Sequence, residues 1–82
     1  MNLFEIKKRI EPLGFKYELG SSFVFIHKDF KMILYHLNFK IELWKTIEVG
    51  HLRKIYFGYS FEDCLILIQK EIKILKLKNI NE

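Results

Sequence analysis

Few residues in this chain combine the type and the spacing that chemistry needs. The candidate metal ligands are His27, His36, His51 and Cys64. None stands at a paired-ligand spacing such as C-x-x-C or H-x-x-x-H, and no carboxylates gather beside them. No metal site and no cofactor are therefore expected. Cys64 falls in the first turn of a helical stretch, where backbone N–H groups lower a thiol pKa. It also lies on the apolar stripe of that stretch, which makes it a core residue. Ser21 and Ser22 follow Gly20 without a G-x-S-x-G elbow, and neither a Walker motif nor G-x-G-x-x-G occurs. The ten carboxylates are scattered, so no acid–base pair forms in sequence. No catalytic residue is assigned, and the chain is not expected to be an enzyme.

Two constellations point to binding instead. Leu67, Ile74 and Leu77 fall off the main apolar stripe of the last helical stretch, and a cluster of exposed apolar residues predicts a contact surface. The leading expectation is a small non-enzymatic interaction protein, a regulator or inhibitor, that meets a protein partner or a second copy of itself there. The alternative is an RNA- or DNA-binding module. Lys40, Lys45, Arg53 and Lys54 flank Trp44 and Tyr56, and basic groups interleaved with aromatics hold phosphate and stack bases. The net charge of +4 has the sign that acidic partners require.

The elements that must carry these residues can be read from length and pattern. Eighty-two residues make one domain, 1–82. Half of them are hydrophobic and 16% are aromatic, which excludes intrinsic disorder. One cysteine excludes a disulfide framework. No apolar run approaches the ~20 residues of a bilayer span, and the N-terminus lacks a secretory apolar region, so the expected setting is cytoplasmic, without a membrane partner. Twelve lysines, twelve isoleucines, eight phenylalanines and no alanine reflect AT-rich codons, as in phages and mobile elements of AT-rich bacteria.

Leu3, Ile6, Ile10 and Leu13 recur at helical spacing, with Asn2 as cap and Pro12 and Gly14 as stops. Alternating runs follow over 15–19, 23–27, 32–37, 40–45 and 52–59, broken by Gly20-Ser21-Ser22, Lys28 to Lys31, Asn38 and Glu48-Val49-Gly50. The short breaks leave no room for crossover helices, which predicts an antiparallel meander. Ser60 then caps a helix whose stripe is Phe61, Cys64, Leu65, Ile68, Ile72 and Leu75, running to about Lys76, with Tyr59 and Cys64 placed for a hydrophobic staple. The fold class is α+β: an N-terminal helix, an antiparallel meander of about four strands, and a C-terminal helix. If Lys28 and Lys31 flank a tight reversal, Phe23, Phe25, Met32 and Leu34 share one sheet face, and Val24, Ile26, Ile33, Tyr35 and Leu37 share the other. Two helices cover only one of those faces, so the second carries more apolar surface than an uncovered face should.

The stretch Ile10 to Leu37 contains Gly14-Phe15-Lys16, Gly20-Ser21-Ser22 and Ile26-His27-Lys28-Asp29. It resembles the HicA-type toxin ribonucleases, which share their helix–three strands–helix order with the double-stranded RNA-binding domain. That family places its catalytic histidine just after a Gly-Ser pair. Ser22 and Phe23 occupy those positions here, so the resemblance implies a relative without the catalytic residue.

Overall fold

A computed structural model describes residues 2–20 and 22–80. Helix α1 (Leu3–Ile10) runs into a 3-10 turn (Glu11–Leu13). Five strands follow: β1 (Lys16–Leu19), β2 (Phe23–Ile26), β3 (Phe30–Leu34), β4 (Ile41–Glu48) and β5 (His51–Gly58). Helix α2 (Phe61–Ile80) closes the chain. The strands pair in sequence order, each antiparallel to the next. The architecture is the expected α+β meander, with five strands rather than about four, and α2 continues past Lys76. Ser21, within the expected Gly20–Ser22 turn, lies outside the described residues. Among the described residues, no helix is long and apolar enough to cross a membrane.

The caps explain the helix ends. The Asn2 Oδ1 accepts from the Glu5 N–H at 2.9 Å, and Ser60 Oγ accepts from the Asp63 N–H at 3.2 Å, each satisfying an amide that has no partner within its helix. Pro12 and a left-handed Gly14 (φ +103°) end the first helical segment, a conformation that glycine adopts without a Cβ clash. The staple does not form: Cys64 is fully buried, whereas Tyr59 points to solvent.

Both helices pack on one face of the sheet. Ile6 and Ile10 from α1 and Phe61, Cys64, Leu65 and Ile68 from α2 enclose one core with Phe25, Phe30, Met32, Leu34, Ile41 and Leu43. The pairing Phe23↔Leu34 and Phe25↔Met32 is the shared face expected of that hairpin. The reversal is tighter than expected: His27 and Phe30 exchange backbone hydrogen bonds, so Phe30 and Lys31 already belong to β3. The strand ends at Leu34, and Leu37 stands exposed in the loop before β4. The opposite face bears no helix. Val24, Ile26, Ile33 and Trp44 are half-buried there, and Leu52 and Phe57 are exposed.

Candidate nucleic-acid interface

The uncovered face is built on β4 and β5, and a β-bulge decides which residues it displays. Glu42 pairs with Phe57 and Leu43 with Tyr56, but Trp44 pairs with Lys54, which leaves Ile55 as the extra residue. An extra residue in one strand resets its two-residue alternation. Lys54 and Phe57, three apart in sequence, therefore stand on the same face, over Trp44 and Glu42. Ile55 and Tyr56 pack toward the core.

The result is a row in which rings and ammonium groups alternate. Lys54 Nζ lies 5.2 Å from the centre of the Trp44 ring and 5.0 Å from that of Phe57. Lys40 Nζ lies 4.9 Å from Phe57 and 5.0 Å from Tyr35. Each ammonium is thus shared by two rings, in the order Trp44, Lys54, Phe57, Lys40, Tyr35, at distances where a cation is attracted to a ring face. The loop between β3 and β4 brings the far end of this row together. Phe39 adopts a left-handed conformation (φ 58°), uncommon for a non-glycine residue. The Tyr35 N–H donates to the Lys40 carbonyl at 2.9 Å.

Glu42 lies beneath the row and is only 8% exposed. Its Oε1 accepts from the Tyr35 hydroxyl at 2.9 Å, and its Oε2 meets Lys54 Nζ at 3.1 Å. Burial alone would push this carboxyl up. The hydrogen bonds from Tyr35 and Lys54, with the nearby Trp44 N–H, outweigh it and hold the group below the usual carboxylate range. Trp44 Nε1 helps electrostatically, yet it is buried and reaches no hydrogen-bond geometry. The Tyr35 hydroxyl is held up by the same bond, by burial and by the Glu42 charge. A hollow of about 320 Å³ opens beside the carboxylate, lined by Lys31, Ile33, Tyr35, Glu42, Trp44 and Leu52.

The structure divides the basic–aromatic set read from sequence. Lys40, Trp44 and Lys54 come together. Lys45 does not join them: it points to the helix side, where its Nζ pairs with Glu71 of α2 at 2.7 Å. Arg53 is the cross-strand partner of Lys45 and shares that side. Tyr56 also turns away. Its hydroxyl folds back over Gly58, where a Cβ would meet it at 2.7 Å, to donate to the Ser60 carbonyl and accept from the Ser60 N–H. Tyr35, Glu42 and Phe57 were not anticipated as parts of a site. The bulge that assembles them carries no sequence signal, because Ile55 fits an uninterrupted strand.

The other candidates separate. On α2, Leu67 packs partly against the core, while Ile66, Ile74 and Leu77 are 62%, 43% and 52% exposed. Cys64 is a core residue 3.9 Å from Met32 Sδ, and burial pushes its thiol up to about 12. His27 Nδ1 accepts from the Asp29 N–H at 2.9 Å, and its ring packs between Phe15 and Phe30. His36 lies edge-on to Phe23, and His51 meets Glu48. Among the described residues, no three metal-ligating side chains converge.

Comparison with protein-family models, with curated proteins and with solved structures returns no match.

Proposed function

We propose that this chain is a non-enzymatic binding protein of the cytoplasm whose open sheet face takes single-stranded nucleic acid. The alternating row of Trp44, Lys54, Phe57, Lys40 and Tyr35 carries this reading. A single strand presents the same alternation, with unpaired bases to stack and phosphates to neutralise, and each stacked base contributes about 1–3 kcal/mol. A duplex hides its base faces, so rings displayed on a sheet favour the unpaired form. Lys31 lies at the same hollow and adds charge. The one buried carboxylate on this patch, Glu42, is already neutralised by Lys54.

The test is fluorescence anisotropy with a labelled single-stranded decamer and the matching duplex. The single strand binds more tightly, Phe57→Ala and Trp44→Ala each weaken it by about tenfold, and affinity falls as salt rises. Equal binding of both variants and wild type would overturn the reading.

A second reading has its own observation. Ile66, Ile74 and Leu77 expose apolar area along α2, which supports contact with a protein partner or a homodimer and hence a regulator or inhibitor role. Leu67, packed partly against the core, offers less area to it. Sedimentation of wild type and of Ile74→Glu with Leu77→Glu tests this: a dimer that becomes a folded monomer supports it, and a wild-type monomer removes the homodimer.

A further inference from the structure

Glu42 is the feature that the fold does not need. It sits on a central strand, facing out of the uncovered side, paired with Ile33 on β3 and Phe57 on β5. An apolar side chain would suit that position, because a buried charge must recover its lost hydration through well-placed partners. Here the chain supplies those partners, and they leave a defined pattern unfilled. A carboxylate offers about four acceptor sites. Tyr35 occupies one on Oε1 and Lys54 one on Oε2, and the nearby Trp44 N–H reaches neither in hydrogen-bond geometry, so a second site remains on each oxygen. Lys54 stands directly beside the pair of acceptors, and Lys31 is the lysine that lines the hollow next to them. The adjoining hollow of about 320 Å³ has apolar walls from Ile33, Leu52 and the Trp44 ring, within the size range of small-ligand pockets.

This order of groups, one donor followed by two adjacent acceptor sites, is complementary to one nucleobase edge. Guanine carries the O6 acceptor followed by the N1–H and N2–H donors. Adenine and cytosine each present a single amino donor next to a ring-nitrogen acceptor, and uracil presents one N–H between two carbonyls. Only guanine offers two neighbouring donors to a carboxylate, with an acceptor next to them for an ammonium group. The other three place a lone pair or a carbonyl against Glu42, and a buried acceptor left facing an acceptor is penalised heavily.

We propose that the hollow beside Glu42 is a guanine-selective subsite, in which Glu42 accepts from N1–H and N2–H and Lys31, the lysine in its lining, donates to O6. This rests on the single-strand reading of the same face, and adds base selectivity to it.

The experiment uses the full chain and four labelled decamers: all uridine, and the same strand with one central guanosine, inosine or adenosine. Inosine is guanosine without the 2-amino group. The guanosine decamer binds about tenfold tighter than the uridine and adenosine decamers, as the loss of a hydrogen bond to a charged group implies, and the inosine decamer lies between. Glu42→Gln, checked for an unchanged thermal midpoint, brings the four affinities together. Should that variant fail to fold, the guanosine–inosine difference on wild-type protein decides alone. Binding of all four decamers with equal affinity, or a preference for adenosine, would overturn the subsite and leave the single-strand reading intact. Binding of none would overturn both.

Discussion

Replacing Glu42 by leucine separates a residue kept for binding from one kept for stability. The carboxylate side chain is 10% exposed, and that of its partner Lys54 is 38% exposed. Lys54 is open enough to water that its share of the ion pair is small. The Tyr35 hydrogen bond to an ionised acceptor is worth about 1.5–3 kcal/mol, and the variant loses it. A leucine buried between Ile33 and Phe57 returns about 1.5–3 kcal/mol of apolar transfer and removes the cost of desolvating a charge. These terms nearly cancel, so the unfolding free energy of Glu42→Leu in urea at pH 7 stays within about 1 kcal/mol of wild type. Tyr35→Phe behaves differently, because it leaves a buried carboxylate short of a donor, and it costs about 1–3 kcal/mol. A loss of about 3 kcal/mol or more in Glu42→Leu would mark Glu42 as a brace of the sheet and refute the argument that the fold does not need it.

The same carboxylate sets an acid dependence. Its folded pKa lies below the usual range, so its stabilising contribution is present above that range and is lost as pH falls below it through the lowered folded value; urea midpoints from pH 7 to pH 3 decline less in Glu42→Leu than in wild type. Cys64, buried with its thiol pushed up to about 12, reacts with Ellman's reagent only at the rate of unfolding, and rapid labelling of native protein would contradict its core placement. Lys31, Lys40 and Lys54, less the charge of Glu42, predict a slope of about −1.4 in log affinity against log salt, and Lys40→Gln reduces its magnitude by about 0.7. On α2, Ile74→Glu leaves stability within about 0.5 kcal/mol of wild type because the side chain is exposed, whereas Leu67→Glu destabilises by more than about 1 kcal/mol because it packs on the core; comparable thermal midpoints for the two would contradict that difference.

The elements were legible where local chemistry sets them. Asn2, Pro12 with Gly14, and Ser60 mark helix ends through caps and stops that depend on a few neighbouring residues. The face shared by Phe23, Phe25, Met32 and Leu34 followed from a period of two across a tight reversal. The same period does not tell which residues of β4 and β5 share the uncovered face. Counting by twos groups Lys54 with Tyr56; the bulge at Ile55 groups it with Phe57 and sends Tyr56 to the Ser60 backbone just ahead of α2. Lys45 falls on the helix side for another reason: its partner Glu71 lies 26 positions away on α2, and alternation identifies a face without saying which one a helix covers. The buried role of Glu42 depends on Tyr35 and Lys54 from neighbouring parts of the chain, and nothing in its local sequence marks it.

Trp44 is the only tryptophan and lies at the end of the ring–lysine row, so its own emission reports on the proposed interface. Titrating wild-type protein with an unlabelled guanosine-containing decamer at low salt should quench or shift that emission to saturation, and raising the salt should reverse the change. Emission that stays constant while the labelled strand binds, or binding unaffected by salt, would contradict the central claim that this sheet face takes single-stranded nucleic acid.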